Sequence, residues 1–355
     1  MTQSYWLLKS EPGVYSIDDL APNATFEEVV YLLYYKKLPN ALELKSFNAE
    51  FAAQRVCNEK ILEEISVIPK SAHPMVVLRT IVSALSFYDS DVDNMSFESN
   101  QQRAVRTTAQ LGTIIAAYER VRNNKKPIAP QKNLSYAANF LYMLNGVEPD
   151  ALFVRALDQY LVLLADHELN ASTFACRVTA STLSDYYSAI TSALGALKGP
   201  LHGGANEQVI RMLLEIGELS KVELYIKNAI LEKKKIMGFG HRVYKVKDPR
   251  SPILKVMAEQ VCAQTNHSEL FAMSVKIDEM VTNAKKLPSN VDFYSATLLY
   301  CIGVPTPLFT PLFAASRIAG WSAHYLEQVS DNRLIRPRAE YMGEMNLPFV
   351  ALNNR

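Results

Sequence analysis

Residues 182–206 read TLSDYYSAITSALGALKGPLHGGAN, and this stretch sets the expectation for the whole fold. Its first part, Thr182 to Leu197, is rich in alanine, serine and tyrosine and nearly free of charge. Such a segment predicts a buried helix whose small residues let a second helix approach closely, either in the core or across a dimer. The second part interrupts the helix with glycines and a proline and places His202 on the resulting turn.

The rest of the chain carries similar helix signals and no sustained β-alternation. Thr25-Phe26-Glu27-Glu28 has the pattern of a capping box, and Ser251-Pro252 that of an N-cap followed by proline. Ala104 to Val121 is amphipathic, and Phe153 to Ala165 is apolar at helical spacing. These patterns predict an all-α fold of many packed helices.

The composition of the 355 residues is that of an ordinary globular enzyme, with 49% hydrophobic and 21% charged residues. A formal net charge of +1 argues against a protein that binds nucleic acid or a membrane surface through a broad basic field. No signal peptide and no apolar run of membrane-spanning length is evident, so we expect a cytoplasmic protein. The four cysteines are scattered without a CxxC pair, which favours neither a zinc site nor a thioredoxin-like motif and fits a reducing compartment.

Two more turn-forming segments carry groups that can transfer protons. Gly238-Phe239-Gly240-His241 runs on to Asp248-Pro249-Arg250, and Asn290-Val291-Asp292 precedes a pair of aromatic residues. Together with His202 they supply two imidazoles and one carboxylate on three separate turns. Such a set can move a carbon-bound proton and polarise two carbonyl groups.

Each of these residues also has an unremarkable explanation. His202 is as compatible with a simple turn as with a neutral imidazole that stabilises an enolate. Asp292 fits either a base of raised pKa or a helix N-cap, and His167, at the end of an apolar helix, fits a structural polar contact. HExxH is absent, which disfavours a zinc protease. The Gly238-Phe239-Gly240 pattern lacks the third glycine of a dinucleotide-binding fingerprint.

Several arginines offer local recognition of anions. Arg250 follows two lysines, and Arg317 lies in an otherwise apolar stretch, Leu308 to Trp321, where a lone charge needs a partner such as a bound carboxylate. Arg336 lies near the C-terminus. A basic run taken alone is usually a solvated face, but the arginines, histidines and aspartate together fit one site for a di-acid.

The segments around His202, His241 and Asp292 resemble the citrate synthase family, which includes the 2-methylcitrate synthases. The resemblance runs from about Tyr15 to about Gly343, whereas Met1 to Gly13 departs from the family's usual opening. It implies a helical homodimer in which each subunit has a large domain, residues 1–206 and 306–355, and a small closing domain, residues 207–305.

The resemblance also implies roles for individual residues. Asp292 matches the base that takes a proton from the methyl group of acetyl-CoA, and His202 matches the residue that stabilises the enol. His241 matches the residue that polarises the keto group of oxaloacetate. The oxaloacetate ligands match His167, Arg250, Arg317 and, from the neighbouring subunit, Arg336. Val243-Tyr244-Lys245 lies where the family binds coenzyme A, and neither a metal nor a separate cofactor is implied.

Three functions remain open at this point. The first is citrate synthase, and the second is 2-methylcitrate synthase acting on propionyl-CoA. One extra methyl group is worth only about 1–3 kcal/mol in a pocket, so the residues beside Asp292 do not decide between them. The third is a helical interaction protein without activity, which the presence of all three proton-transfer residues disfavours.

Overall fold

The computed structural model describes residues 15–240 and 248–355, and the regular structure within those ranges is helical. A single antiparallel bridge, between Phe239 and Ser289, is the only β-type pairing there. None of the described helices is both long enough and apolar enough to cross a membrane. In chain order the α-helices are α1 Ile17–Asn23, α2 Phe26–Tyr35, α3 Ala41–Gln54, α4 Glu59–Val67, α5 Pro74–Ala84, α6 Phe97–Arg122, α7 Tyr136–Asn145, α8 Ala151–Leu164, α9 Ala171–Ser181, α10 Tyr186–Leu197, α11 Ala205–Ile216, α12 Val222–Leu231, α13 Arg250–Gln264, α14 Ser268–Lys285, α15 Val291–Cys301 and α16 Phe309–Ser330.

Residues 182–206 form a buried helix and a turn. Helix α10 begins at Tyr186 rather than at Thr182, because the Asp185 carboxylate caps it by accepting a hydrogen bond from the amide of Ser188 at 3.0 Å. Its alanine, leucine and tyrosine side chains face the core, where α10 packs against α5, α9 and α16. The prediction of a buried helix is confirmed.

The predicted helix starts are confirmed at α2 and shifted at α13. Thr25 and Glu28 form a reciprocal capping box, with the Thr25 amide donating to Glu28 Oε2 at 2.7 Å. Helix α13 begins at Arg250, one residue before the predicted cap Ser251. The start moves because the Asp248 carboxylate accepts from the Arg250 amide at 3.1 Å, which leaves the Ser251 hydroxyl to pair with Ser289 at 2.9 Å.

Helix α16 runs through the core and donates hydrogen bonds to the carbonyls at the C-terminal end of α8. The last carbonyls of a helix have no partner within the helix and must find one elsewhere. Ser316 Oγ donates to Leu161 O at 2.5 Å, Arg317 Nε donates to Leu164 O at 2.6 Å, and the Gly320 amide donates to Ala165 O at 2.9 Å. This contact fixes the segment that leads from α8 to His167.

The α8–α16 contact depends on the absence of a side chain at Gly320. A Cβ atom there would lie 2.5 Å from Ala165 O and 2.6 Å from Asp166 Oδ1. Gly320→Ala should therefore lower the free energy of unfolding by about 1–3 kcal/mol, as overpacking does, measured by urea unfolding. Gly195→Ala is the control, since a Cβ there meets nothing within 4 Å. Equal stability of Gly320→Ala and the parent chain would contradict this account of the contact.

Asp158 is a buried carboxylate on the inner face of α8. Its Oδ1 accepts a hydrogen bond from the Phe26 amide at 3.0 Å, at the start of α2. Burial, reinforced by the negative charge of Glu27, raises the pKa of Asp158 to about 7. The folded chain therefore holds a proton on Asp158 between pH 4 and 7 that the unfolded chain has already released.

This difference makes the stability depend on pH. As pH rises from about 4 to about 7 the folded state binds more protons than the unfolded state, so the free energy of unfolding decreases and stays lower above that window. Asp158→Asn should be more stable than the parent chain at pH 8, by about 1–3 kcal/mol, with a smaller difference at pH 5. Urea unfolding at both pH values checks this, with the exposed Asp93→Asn as control. A less stable Asp158→Asn at pH 8 would show that the charged form is favoured in the fold.

Candidate active site

The contact between α8 and α16 places Arg317 at the C-terminal end of the helix that precedes His167. His167 follows the end of α8 and is 5% exposed, and Arg317 is 2% exposed. The Arg317 guanidinium lies 4.8 Å from the centre of the Phe313 ring. Burial lowers the pKa of Arg317 to about 10, against the opposing charge of Asp166, so the group is still cationic at neutral pH. A buried cation of this kind is suited to an anionic ligand.

Arg250 is held in a fixed orientation by Asp248. Arg250 Nε and Nη2 donate to the two carboxylate oxygens of Asp248 at 2.9 and 2.8 Å. The same carboxylate accepts a hydrogen bond from the Val291 amide at 3.0 Å, at the first residue of α15. Although burial opposes it, the Arg250 charge and these hydrogen bonds lower the pKa of Asp248. One ionised carboxylate therefore joins the starts of α13 and α15.

Asp292 is the second residue of α15, and Asn290 rather than Asp292 is the N-cap. The cap forms when Asn290 Oδ1 accepts a hydrogen bond from the Asp292 amide at 3.0 Å, which leaves the Asp292 carboxylate available for other contacts. Burial raises the pKa of Asp292 to about 6, with the Asp248 charge adding to the rise, while Arg250 and Arg317 oppose it. A carboxylate with a pKa of about 6 is mostly ionised at pH 7 and is a stronger base than an ordinary aspartate.

His202 lies on the turn between α10 and α11 and is neutral. Burial, together with the positive charge of Arg317, lowers the pKa of His202 to about 4. Its Nε2 lies 2.8 Å from Ser172 Oγ, and Ser172 Oγ also accepts a hydrogen bond from Trp321 Nε1 at 3.1 Å. The Ser172 hydroxyl has one proton, which it can donate either to Asn170 Oδ1 at 2.7 Å or to His202 Nε2. When it donates to Nε2, the proton of the neutral ring is on Nδ1, which can then donate to a ligand.

The four described residues His202, Arg250, Asp292 and Arg317 belong to one electrostatic cluster. The Arg317 charge acts on both His202 and Asp292, and the Arg250 charge acts on both Asp292 and Arg317. His167 directly follows Asp166, whose charge also acts on Arg317.

Arg336, another predicted site residue, is not part of this cluster. Arg336 is exposed in the segment after α16, and within the described ranges it forms no hydrogen bond or ion pair. The neighbouring Ile335 amide anchors that segment by donating to Ser181 Oγ at 3.0 Å. His241 and Val243-Tyr244-Lys245 lie outside the described residues.

The structure adds residues that the sequence did not reveal. Ser172 and Trp321 support His202 although they lie 30 residues before it and 119 residues after it in the numbering, so no spacing pattern could have indicated them. Asp248 lies two residues before Arg250 in the sequence, but only the hydrogen bonds in the structure show that it orients the Arg250 side chain. No group of three or more metal-ligating side chains is found in residues 15–240 and 248–355.

A cleft of about 430 Å³ opens beside the His202 turn. Leu201 and Gly204 line it on either side of His202. Lys198 and Lys235 bring positive charge to it, and Glu207, which pairs with Arg211 at 3.7 Å, also lines it. Met75, Met237 and Pro200 supply apolar wall. Near Lys235 the chain gathers further cations, since Lys285 Nζ reaches the carbonyl oxygen of Lys234 at 3.4 Å. A long ligand with an apolar middle and an anionic end would match this cleft.

Known proteins of one family match most of this chain. A family profile described as "Citrate synthase, C-terminal domain" matches residues 14–338. The chain is 49% identical over 342 residues to "Citrate synthase 2" of Bacillus subtilis (strain 168), covering 96% of this chain and 92% of the relative.

The chain belongs to the citrate synthase family.

Two further relatives, one solved structure and one 2-methylcitrate synthase, are also similar over most of the chain. The citrate synthase of Thermoplasma acidophilum, solved as a ternary complex with carboxymethyl coenzyme A and oxaloacetate, superposes with a TM-score of 0.91 at 34% identity, covering 97% of this chain and 92% of that one. A "2-methylcitrate synthase" of Shewanella oneidensis is 39% identical over 342 residues, covering 96% of this chain and 90% of the relative. The predictions of the family and of the all-α fold are confirmed.

The raised pKa of Asp292 predicts an acid limit to the activity of this family member. If Asp292 acts as a base it must be ionised, so the ionised fraction and the rate fall tenfold for each pH unit well below about 6. His202, with a pKa of about 4, stays mostly neutral above pH 4.5. Measurement of kcat/KM for release of CoA from pH 4.5 to 8 should show this limb near pH 6. A rate that is constant down to pH 4.5 would contradict the raised pKa of Asp292.

Proposed function

We propose that this chain condenses acetyl-CoA with oxaloacetate and hydrolyses the resulting thioester to citrate and free CoA. The observation that carries the proposal is the electrostatic cluster itself. Two buried guanidinium groups, Arg250 and Arg317, stand beside the base of raised pKa, Asp292, and the neutral imidazole of His202. The arginines suit a di-acid, and the other two groups suit removal of a proton next to a carbonyl.

The proposed reaction begins with formation of the nucleophile. Asp292 takes a proton from the methyl carbon of acetyl-CoA, while His202 donates a hydrogen bond to the thioester oxygen and stabilises the enolate. A neutral donor is suitable here because the surroundings of His202 disfavour the charged imidazolium, so its proton is shared with the enolate without a prior ionisation.

The second stage joins the two substrates. The enolate carbon attacks the keto carbon of oxaloacetate, and the keto oxygen takes a proton from His241, a role assigned to that residue by the family resemblance alone. Arg250, Arg317 and His167 hold the two carboxylates of oxaloacetate and direct the keto carbon toward the enolate. Water then cleaves the thioester, which releases CoA and leaves the third carboxylate of citrate.

Coenzyme A is proposed to occupy the cleft beside His202. The thioester end would lie at the His202 turn between Leu201 and Gly204, and the phosphates would meet Lys198 and Lys235 and the neighbouring cations. This placement is supported by the size and charge of the cleft. Val243-Tyr244-Lys245 remain proposed ligands of coenzyme A from the resemblance.

We also propose that the chain works as a homodimer with a closing small domain, residues 207–305. Helices α11 to α15 pack on one another and meet the rest of the chain through α8 and α16, with Gly204 and Gly303 close to the two boundaries. The segment after α16 exposes Met342 and Phe349, each 87% exposed, as an arm suited to a second subunit. Arg336, on that arm, is proposed to reach the oxaloacetate site of the partner.

We extend the proposal to the compartment of the protein and to its cofactor requirement. The four cysteines are free thiols in the structure, which supports a reducing cytoplasm. We propose that the reaction needs no cofactor beyond the coenzyme A thioester, because the steps above use only proton transfer and hydrogen bonding. Propionyl-CoA remains the alternative acyl donor, favoured by the similarity to a 2-methylcitrate synthase.

The test of the proposal is release of CoA in the presence of oxaloacetate, compared for acetyl-CoA and propionyl-CoA as kcat/KM. Preference for acetyl-CoA is expected, and preference for propionyl-CoA would make the chain a 2-methylcitrate synthase.

Asp292→Asn should lower kcat by about 10²–10⁴-fold while calorimetric binding of oxaloacetate stays within a few-fold, because the base does not hold the di-acid. No release of CoA from either thioester would overturn the proposal, and equal losses of kcat and oxaloacetate binding would overturn the role of Asp292.

A further inference from the structure

Two short segments that precede proposed catalytic residues lie side by side. Residues 238–240 come directly before His241, and residues 288–290 come directly before α15 with its Asp292. The Gly240 amide donates to Pro288 O at 2.9 Å, and the Asn290 amide donates to Gly238 O at 2.9 Å. The bridge between Phe239 and Ser289 belongs to the same pairing. The backbone that leads to His241 is therefore paired with the backbone that leads to Asp292.

The side chain of Asn290 makes a further connection between these segments. Its Oδ1 accepts from the Asp292 amide at 3.0 Å, and its Nδ2 donates to Gly240 O at 2.9 Å. One partner is an N–H group and the other a carbonyl, so the hydrogen bonds fix which end of the amide is which. A single planar amide thus spans from the residue before His241 to the residue that carries the base.

The residues on either side of Asn290 are fixed to the start of α13. Ser289 Oγ pairs with Ser251 Oγ at 2.9 Å, and the Val291 amide donates to Asp248 Oδ2 at 3.0 Å. The 288–291 segment is thereby held by Asp248, the residue that also orients Arg250. Against this fixed segment, the Asn290 amide nitrogen is placed to set the position of the Gly240 carbonyl.

We propose that Asn290 is a positioning residue that fixes the Gly240 carbonyl, directly before His241 in the sequence, relative to the residue that carries the base, Asp292. The proposal rests on the proposed function, in which Asp292 generates the nucleophile and His241 acts on the carbonyl that it attacks. An N-cap alone needs only an oxygen acceptor, which serine supplies as well as asparagine does. The amide nitrogen of Asn290 has a second role, because it donates a hydrogen bond to the Gly240 carbonyl. Errors of about 1 Å in the placement of reacting groups can cost about 100-fold in rate.

The experiment compares Asn290→Ser with a matched control, Asn58→Ser. Both substitutions keep an N-cap acceptor, but Asn58 caps only α4, through a 2.9 Å bond from the Lys60 amide, and lies outside the site. We expect Asn290→Ser to lower kcat for condensation about 10- to 100-fold with KM for oxaloacetate within about twofold, since the arginines are untouched. Asn58→Ser should leave both constants unchanged. Thermal unfolding of both variants should stay close to that of the parent chain.

A second measurement separates positioning from support of α15. Exchange of the acetyl-CoA methyl protons with deuterated water, with malate in place of oxaloacetate, needs Asp292 and His202 but has no keto group for His241. Asn290→Ser should keep this exchange within about threefold of the parent rate while condensation falls. Equal losses in exchange and condensation would overturn the proposal and leave Asn290 as a support of α15 only.

The remaining outcomes also test the positioning role of Asn290. Unchanged condensation in Asn290→Ser would overturn the positioning role while leaving the proposed function intact, whereas a parent chain that releases no CoA would overturn both. If Asn290→Ser does not fold, Asn290→Asp, which has the same shape and cap acceptor but no N–H donor, should show the same loss of condensation with retained exchange. Failure of both variants to fold would overturn the proposal in favour of a structural role.

Discussion

The C-terminal end of α8 is the point on which the rest of the site depends. Its last carbonyls need donors, and a hydroxyl, a guanidinium and a glycine amide of α16 supply them. The guanidinium is that of Arg317, so the group that completes a helix end is also a cation of the site. A positive charge at a helix C-terminus is favourable, which offsets part of the cost of burying it. The same contact needs Gly320 for the close approach and sets the path of the chain into His167.

A second constraint joins the starts of α13 and α15. Asp248 binds Arg250 with both carboxylate oxygens and accepts a hydrogen bond from the amide of Val291, so Arg250 and the helix that carries Asp292 are anchored to one ionised residue. Removal of that carboxylate would leave the buried Arg250 without this counter-charge and the first turn of α15 without this acceptor. Structural stability and geometry of the site therefore depend on the same contact.

Burial and charge have different effects on the two proton-transfer groups. Asp292 becomes a stronger base because burial disfavours its ionised form, and two arginines keep its pKa from rising beyond about 6. His202 becomes a neutral donor because both burial and Arg317 disfavour its protonated form. One buried arginine thus promotes ionisation of the base and neutrality of the imidazole at the same pH. This is the electrostatic arrangement that removal of a carbon-bound proton requires at neutral pH.

The sequence alone determined the helical fold class and the family, and it pointed to most of the proposed site residues, because caps, apolar periodicity and the three turn segments are local signals. Thr25 and Asn170 cap helices as residue type predicts, and the turn at His202 follows from its glycines and proline. The tertiary structure decided what depends on distant partners. Only packing brings Ser172 to His202, joins Asp248 to the Val291 amide of α15, and brings the Asn290 side chain to the Gly240 carbonyl. Hydrogen-bond partners and burial arise between residues far apart in the chain, and these set the pKa values that residue types leave open.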